Sequence, residues 1–584
     1  MQNQVPELSP PGSSSRFARL RALIAANKLF TLVLAAGAVL RLIAVLGYPG
    51  ALWFAGDSYV YLGAALRLRP DPSKSIGYSL FLKVLEPFHS LTLVTIVQHL
   101  MGLAIGVLLY VLLRRARVPR LISALATVPV LLNGFQIELE HMIMADLLFM
   151  FLLVLAAAIL LWQRRPSWPA VLVAGLLTGY AVTVWSGGLI LPVIFFVFVI
   201  VRRMGWGALA AIVAGCALPI VSYAVWFHSW SGTYALTKSE GFYLYGRMSS
   251  FADCAKINPP ASERYLCLST PVSKREPPGS LVWHIQQVHE VPGGPVSVAG
   301  NKVLRDFAIR AVEAQPLSYA HVIVDGLVLS VDWKRYNYPS KGTVYDYYFH
   351  TKPLAVPNHV WIPHRTARQD IQAYGRQGIS RVVKPFDYLM SGYERVFYLY
   401  GPLFGLILVL GLGSIVRVTR RPGGGFRLGR WREGPSGMPS AMPWACAVVL
   451  LVFPIAVADF DYRYVLPVVP FACLAAGLAF ASPASRTEPA DPSPAGAEAP
   501  VPAGAEAPVP ANADTAVPGA EPEPSSTHVR AHPYTQRDVY VYGDTRRGNF
   551  AGKPANRYAQ PTAAPGSRFV PGGPASSGDQ RRSW

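Results

Sequence analysis

The chain has 584 residues, of which 52% are hydrophobic and only 15% are charged. Soluble domains carry about 25% charged residues, so this composition excludes an ordinary soluble protein and favours a multispanning membrane protein. The formal charge of +20 does not indicate nucleic-acid binding, because the basic residues cluster between apolar segments, as the positive-inside rule describes.

Ten apolar segments are long enough, or nearly so, to cross the hydrocarbon core of a bilayer, which is about 30 Å thick. They are Leu29–Leu46, Leu91–Leu113, Leu121–Asn133, Met144–Trp162, Ala170–Val184, Gly188–Val201, Ala208–Phe227, Val396–Val416, Trp444–Ala458 and Tyr464–Phe480. Basic residues cluster in alternate connections, which predicts that those connections are cytoplasmic. The sequence therefore predicts an all-α, multi-pass protein of the plasma membrane, of bacterial type.

The spans and connections divide the chain into five predicted regions. A cytoplasmic lead, 1–28, precedes a membrane region, 29–230, with seven spans and interfacial helices. An extracytoplasmic region, 231–393, is too long for a simple connection, and 394–482 holds the last three spans. The remainder, 483–584, contains the repeat AGAEAPVPAGAEAPVPA, and its composition predicts a disordered cytoplasmic tail.

One carboxylate lies in the first predicted outer loop, directly after the first span. Asp57 opens the sequence DSYVYLGAALRL, whose apolar and aromatic residues recur at helical spacing and predict an amphipathic surface helix. A carboxylate at this boundary can act as a base on a lipid-linked substrate whose head group reaches water. The alternative is that Asp57 caps the helix. Lys74 follows in the same loop, and Tyr61 on the helix is a candidate wall residue.

A second polar group lies in the connection before the fourth span, NGFQIELEHMIMADLLF. Glu138 and His141 are candidates for a polar wall around a substrate head group, and Asp146 opens the apolar helix that follows. A carboxylate at that depth is costly unless it is paired or faces a cavity. The alternative is a solvated loop with a capping Asp. A divalent metal stays open, because Glu138, His141 and Asp57 could converge, although their spacing is not that of a zinc protease.

The 231–393 region carries two cysteines and many aromatic residues. Cys254 and Cys267 lie in a compartment that permits oxidation, so we predict a disulfide between them, with two free thiols as the alternative. Tyr and Trp crowd the stretch DWKRYNYPSKGTVYDYYFH, which suits a membrane interface, a sugar-stacking surface or a packed lid. Arg247, Lys334 and Arg335 are candidates to hold a phosphate, and solvated surface charge is the simpler interpretation of each.

The last predicted outer turn, ADFDYRYVLPVVP, places a cation against the charge trend. Arg463 begins the final span at the outer interface, where the positive-inside rule disfavours arginine. Its planar guanidinium suits a phosphate or a diphosphate. An internal pair with Asp459 or Asp461 is the alternative.

These features occur in a fixed order along the chain. An acid follows the first span, SIGYSLFL returns to the membrane, HMIMADLLFMFLLVLA opens the fourth span, and YRYVLPVVPFACLAAGLA opens the last. The ordered set resembles the GT-C superfamily of integral membrane glycosyltransferases. It is most similar to the branch that holds the protein O-mannosyltransferases and the bacterial aminoarabinose–lipid A transferases. The resemblance covers about 29–201 and the closing span.

The resemblance implies an inverting enzyme that moves a sugar from a polyprenyl-phosphate donor to a hydroxyl acceptor at the outer membrane face. Asp57 matches the presumed general base, and Asp146 matches a supporting or acceptor-orienting acid. Arg463, Tyr464 and, more weakly, Lys74 match contacts to the donor phosphate. The implied partners are this donor, membrane lipid and an acceptor that is a glycan, a lipid or a protein.

Other functions stay open at this point. A flippase or transporter of lipid-linked glycans would place ionisable residues near mid-membrane in two repeated halves, whereas the acids here lie at one face. A polysaccharide polymerase would use a diphosphate-linked donor. Metal dependence is open as well. Many members of the superfamily have two adjacent acids in the first loop, but here Ser58 follows Asp57.

Overall fold

The structure, a computed structural model, describes residues 24–54, 56–356, 360–362, 365–376, 381–415, 418–420, 426–428 and 439–481, together with 18, 21 and 22. The predicted tail, 483–584, and most of the predicted N-terminal lead lie outside the described residues. The described chain is mostly helical, as its apolar segments predict.

The N-terminal half is a series of helices joined by short connections. They are α1 (Lys28–Gly47), α2 (Asp57–Arg67), α3 (Gly77–Leu85), α4 (Leu91–Arg115), α5 (Arg120–Leu125), α6 (Val128–Leu131), α7 (Gly134–His141), α8 (Asp146–Trp162), α9 (Trp168–Val184), α10 (Leu191–Val201) and α11 (Trp206–Ser231), with 3-10 turns at Glu86–Phe88 and Ser186–Gly188. Local sequence sets their ends. The Ser90 hydroxyl, for example, accepts a hydrogen bond from the Leu93 amide at 3.1 Å and so caps α4.

The C-terminal half alternates short and long helices. They are α12 (Glu240–Ser249), α13 (Cys254–Ile257), α14 (Pro278–Leu281), α15 (Gln286–His289), α16 (Val298–Ala314), α17 (Pro316–Val331), α18 (Lys341–Tyr345), α19 (Ala367–Gly375), α20 (Phe386–Val396), α21 (Gly401–Ile415), α22 (Ala441–Val457) and α23 (Val468–Leu478), with 3-10 turns at Ala261–Leu266, Val272–Lys274 and Tyr462–Val465. Two antiparallel ribbons pair β1 (Val360–Ile362) with β2 (Arg365–Thr366), and β3 (Val418–Arg420) with β4 (Phe426–Leu428).

The helices long enough to cross a membrane are fewer than the ten predicted spans. Among the described residues, α1, α4 and α11 are long and apolar enough, and two bent helix pairs raise the number to five. Six further apolar helices have 10–17 residues, which is about 26 Å or less at 1.5 Å per residue. One of them, α17, lies in the region predicted to be extracytoplasmic. The apolar helices are compatible with a membrane protein, and by length and composition alone three to five of the described helices or bent pairs could cross a membrane.

Two helix pairs are bent where a predicted span meets the neighbouring helix. Arg120–Leu131 meets α7 at 48°, and α20 meets α21 at 58°. The first bend lies at Asn133, which is buried and extended between α6 and α7. An apolar run in the sequence does not show such a break, because hydropathy reports composition and not the direction of the chain. The bend turns α7 into the core beside α1 and α4, where all eight of its residues are buried.

Helices α9 and α11 pack closely through small residues. Gly175 and Gly179 are four residues apart on α9 and lie against Gly215 and Cys216 of α11. A Cβ atom on Gly175 would come within 2.9 Å of the Ile212 carbonyl oxygen, so a larger residue there would push the helices apart. This is the small-residue packing by which apolar helices approach each other in lipid.

The 231–393 region has a small core of its own. Phe242, Tyr245 and Met248 of α12 pack against Leu304 and Phe307 of α16. Elsewhere, a larger core runs through the helical bundle. The structure joins Cys254 and Cys267 by a disulfide at the edge of the smaller core.

Candidate active site

The loop between α1 and α2 is tied to the segment that precedes α8. The Leu52 amide donates a hydrogen bond to the His141 carbonyl at 2.9 Å. Farther along the loop, the Ser58 hydroxyl accepts a hydrogen bond from the Phe54 amide at 2.9 Å. These bonds fix the backbone on both sides of the bend at which Asp57 begins α2.

Asp57 lies between two cations. Its Oδ1 atom is 2.8 Å from Lys74 Nζ, and its Oδ2 atom accepts a hydrogen bond from Arg463 Nη1 at 3.0 Å. The three side chains are only 12–16% exposed. The N-cap position of α2 is Gly56, so Asp57 is not the helix cap that the sequence offered as an alternative. The structure thus brings together three predicted site residues from distant parts of the chain.

The two cations determine the acidity of Asp57. Burial would raise the pKa of this carboxyl, but the charges and hydrogen bonds of Lys74 and Arg463 outweigh burial and lower the pKa to about 2. Asp57 is therefore ionised across the physiological range. It is a weak base for as long as both cations hold it.

We expect the stability that Asp57 contributes to be present above about pH 4, the ordinary pKa of an Asp, and to be lost as the pH falls through about 2. The sign follows because the folded state binds this proton less tightly than the unfolded state does. The measurement is the melting temperature of the purified chain in detergent at decreasing pH, beside Asp57→Asn. The difference in melting temperature between the two proteins should shrink as the pH falls. A difference that stays constant would contradict the contribution to stability assigned to the Asp57 carboxylate.

A tight turn presents Lys74. The Asp71 Oδ1 atom accepts hydrogen bonds from the Ser73 amide at 2.8 Å, the Ser73 hydroxyl at 2.6 Å and the Lys74 amide at 3.3 Å. On the other side, the Ser239 hydroxyl donates to the Ser73 carbonyl at 3.1 Å. The turn is thus held from two sides, and the Lys74 ammonium reaches Asp57 from a preset backbone.

Arg463 has an equally defined setting. The Asp461 Oδ1 atom accepts the Arg463 amide at 3.1 Å, and its Oδ2 atom lies 3.4 Å from Arg463 Nε. The Tyr347 hydroxyl donates to the same Asp461 Oδ2 at 2.8 Å. The guanidinium lies over the rings of Phe54 and Tyr464, at 5.0 and 5.2 Å from their centroids. Arg463 therefore pairs with Asp461, one of the two partners considered from the sequence, and with Asp57 as well.

Aromatic rings border this cluster. The Tyr464 ring stacks on Trp185 at 5.6 Å, and Trp185 meets Phe149 edge-on at 5.0 Å. On α2, the buried Tyr61 ring contacts Tyr78 at 5.0 Å. The Tyr61 hydroxyl also lies within electrostatic reach of Asp57, Lys74 and Arg463. The predicted residues Tyr464 and Tyr61 therefore lie beside the ion-paired cluster.

Asp146 is a second carboxylate near the cluster. It is the first residue of α8, is partly exposed, and interacts electrostatically with Arg463, Asp57 and Asp461. Within the described part of the chain, its carboxylate forms no hydrogen bond or ion pair with another residue's side chain. The site therefore holds one acid, Asp57, in direct ion pairs with two cations and a second, Asp146, that interacts with Arg463 without a direct ion pair.

Asp459 anchors a different set of residues. Its carboxylate is 3.3 Å from Arg247 Nη1 and accepts hydrogen bonds from the Tyr338 hydroxyl at 2.6 Å and the Gly279 amide at 2.7 Å. Arg247, a candidate phosphate ligand from the sequence, is only 2% exposed and serves as the partner of Asp459. These contacts hold the 231–393 region against the turn that carries Arg463.

Glu138 and His141 do not form an exposed wall in the structure. His141 is fully buried, with its ring nitrogens 2.9 Å from His99 Nε2 and 2.8 Å from the Tyr48 carbonyl. Glu138 is also fully buried, and its oxygens have no hydrogen-bond partner among the described residues. The prediction differs from the structure because α7 lies inside the bundle and is not a solvated connection.

The same core contains an ion pair that the sequence analysis missed. Arg41 of α1 forms two hydrogen bonds of 2.7 Å with Glu140, and His99 Nδ1 lies 2.9 Å from the same carboxylate. The sequence contained a signal for this ion pair, because Arg41 and His99 are polar residues inside apolar spans and such residues need partners there. Tyr347, which contacts Asp461, had no distinguishing signal within its aromatic run.

The three residues that left a metal open in the sequence, Glu138, His141 and Asp57, do not come together. Asp57 lies with Lys74 and Arg463, whereas His141 lies with His99. In the described ranges, no group of three or more His, Cys, Asp or Glu side chains has the arrangement of a metal site. The residues do not fit a divalent ion, and the chemistry proposed below uses none.

Two solved structures of the same enzyme show a weak likeness in fold to this chain. A crystal structure of an Archaeoglobus fulgidus oligosaccharyltransferase tethered to an acceptor peptide aligns with a TM-score of 0.33 and 11% identity, over 76% of this chain and 49% of that chain. The apo form gives 0.30 and 10%, over 77% and 50%. The chain thus spans about half the length of that enzyme. No family model matches the chain, and no curated protein matches it significantly.

Proposed function

We propose that the chain is a membrane glycosyltransferase of the GT-C type, which moves a sugar from a polyprenyl-phosphate donor to a hydroxyl acceptor on the outer face of the membrane. The observation that carries the proposal is the contact of Asp57 with Lys74 and Arg463. Two cations beside one carboxylate supply the two charges that this reaction needs. The cations can hold the phosphate, and the carboxylate can take the acceptor proton.

The present ion pairs suggest how donor binding would activate Asp57. A phosphate bound between Lys74 and Arg463 competes with the Asp57 carboxylate for the same donors. As the phosphate takes these hydrogen bonds, it removes the two interactions that lower the pKa of Asp57 to about 2. The carboxylate then becomes a stronger base, and this happens only when the donor is present.

The reaction is a single displacement. The acceptor hydroxyl attacks the anomeric carbon, its proton passes to the Asp57 carboxylate, and the bond between that carbon and the phosphate oxygen breaks. The polyprenyl phosphate leaves with the electron pair, and its charge is stabilised by Lys74 and Arg463. One attack inverts the anomeric centre, so no second nucleophilic carboxylate is required. We assign to Asp146 the orientation of the acceptor hydroxyl.

The donor can be identified in cells. Cells that lack the chain should accumulate a polyprenyl-phosphate sugar and lose one sugar from an envelope glycan, lipid or protein. Mass spectrometry of the lipid extract and of the hydrolysed envelope measures both changes. Expression of the intact chain should reverse them, and expression of the Asp57→Asn variant should not. An unchanged pool of lipid-linked sugars would contradict the proposed donor.

A further inference from the structure

A cavity lies at the edge of the small core of the 231–393 region. Its volume is about 390 Å³, and its walls are formed by Ser262, Glu263, Tyr265, Glu290, Pro292 and Val303. Small-molecule sites in proteins have volumes of roughly 300–1,000 Å³. The cavity can therefore hold an organic molecule of modest size, and it shares no lining residue with the Asp57 cluster.

The walls of this cavity are fixed by the structure around them. One wall is the 3-10 turn Ala261–Leu266, which lies within the loop that the disulfide closes. The Leu266 carbonyl at the end of this turn accepts a hydrogen bond from the buried Tyr245 hydroxyl at 2.7 Å. On the other side, the Ser297 hydroxyl donates to the Pro292 carbonyl at 2.8 Å, where the chain enters α16. A ligand would therefore enter a preformed site.

Two carboxylates line the cavity, and only one of them is paired with a cation. Glu263 is 9% exposed, and its Oε2 atom forms an ion pair with Arg310. The Oε1 atom of Glu263 has no hydrogen-bond partner among the described residues. Glu290 is exposed and accepts a hydrogen bond from the neutral Gln286 amide at 2.9 Å. The cavity thus retains about one negative charge that no cation in the described part of the chain balances.

Neighbouring cations do not border the cavity. Lys302 and Arg305 of α16 both pair with Asp306, at 2.5 and 3.8 Å. Arg264 lies on the same turn as Glu263 but is exposed and is not part of the wall. The described lining therefore contains two acids and no base, in a chain whose formal charge is +20.

The remaining wall is mostly apolar. Pro292, Val303 and the Tyr265 ring provide it, and the ring lies near both carboxylates. Burial, followed by the charges of Glu263 and Glu290, raises the pKa of Tyr265, so its hydroxyl stays protonated. Carboxylates beside an aromatic ring attract a cation that is attached to a hydrocarbon body. A neutral molecule would leave the excess charge of the cavity unbalanced, and an anion would be repelled.

We propose that this cavity binds an alkylammonium group, which is the protonated primary amine of a free small molecule or of a lysine side chain in a peptide. The ammonium donates hydrogen bonds to the carboxylates of Glu290 and Glu263, and its hydrocarbon part lies against Tyr265 and Val303. The inference does not depend on the proposed transfer reaction.

The test measures binding to the full chain in an uncharged detergent by saturation-transfer NMR. The cationic probes are cadaverine and Nα-acetyl-lysine amide, and the neutral probes are Nα,Nε-diacetyl-lysine amide and methyl glucoside. Each cation should bind at least tenfold more tightly than either neutral probe, and added NaCl should weaken its binding. Tighter binding of the lysine amide than of cadaverine supports a peptide as the source, and the reverse order supports a free amine.

Two exposed positions test the contribution of charge. Glu290→Gln should weaken the binding of both cations by roughly tenfold, because a charge-assisted hydrogen bond is lost. The matched control is Glu313→Gln, at an exposed acid farther along α16, which should leave binding unchanged. Ser262→Lys should also weaken binding by roughly tenfold, because it places a competing ammonium at the cavity, whereas Ser262→Gln should bind normally.

Melting curves establish that each variant is folded. Equal binding of the cations to folded Glu290→Gln and to the parent protein would overturn the proposal. Equal affinity for lysine amide and its diacetylated form would overturn it as well, and so would equal affinity for methyl glucoside. If Glu290→Gln does not fold, unchanged binding to Ser262→Lys overturns the proposal in its place. Sugar transfer is not measured in this test, so failure of the proposed function would be seen separately.

Discussion

Replacement of Asp57 by Asn is expected to lower the turnover rate of sugar transfer by about 10²- to 10⁴-fold, the usual contribution of a general base. The substitution keeps the size of the side chain and removes its ability to take a proton. It also removes a carboxylate that competes with the donor for Lys74 and Arg463. The KM for the donor should therefore stay the same or fall while the turnover rate collapses.

A lower turnover rate with an unchanged or lower KM distinguishes a catalytic role of Asp57 from a role in supporting the fold. A variant that only loosened the site would raise the KM and lower the rate together. The matched control is Asp253→Asn, because Asp253 is a half-exposed acid in the 231–393 region, its ion pair with Lys256 is long, at 3.9 Å, and Asn can also cap the short helix that follows. It should transfer sugar at the normal rate. Undiminished transfer by the Asp57 variant would remove the basis for the proposed mechanism.

Replacement of Arg41 by Met is expected to destabilise the chain by about 3–5 kcal/mol, because the buried Glu140 carboxylate would lose the arginine that balances its charge. The double replacement Arg41→Met with Glu140→Leu should recover much of this loss, since no buried charge is then left unpaired. The measurement is the unfolding free energy in mixed detergent micelles. Arg165→Met, at an exposed arginine, is the control and should change stability by about 0.5 kcal/mol or less.

A different result would change the role given to this pair. If the double variant is as unstable as the single one, the contribution of Arg41 comes from its bonds to the Gly37 and Leu131 carbonyls, at 3.0 and 2.8 Å. If the single variant is fully stable, the pair is dispensable to the bundle.

The sequence predicted the parts of the site better than it predicted their surroundings. Asp57 and Arg463 stood out because each is a charged residue beside an apolar run, and Arg463 opposes the charge trend of the chain. Their contact at 3.0 Å depends on how the bundle brings the start of α2 to the turn before α23. No pattern within either segment specifies that packing.

Glu138 and His141 show why the surroundings of the site could not be predicted from the sequence. A short polar segment between two apolar runs is typical of an exposed connection, and only the bend of 48° places it inside the bundle. The lengths of the apolar helices could not be predicted for a related reason. Hydropathy locates apolar helices correctly but does not report their length, which is 17 residues or fewer for six of them.

The contact between Asp57 and Arg463 joins residues 406 positions apart. A ribosome must therefore make almost the whole helical bundle before the nascent chain can complete this ion pair. Partial translation products retain the acid without its second cation, and they cannot form the donor-binding pair. Completion of the final helix thus sets the earliest moment at which the chain can acquire its proposed activity.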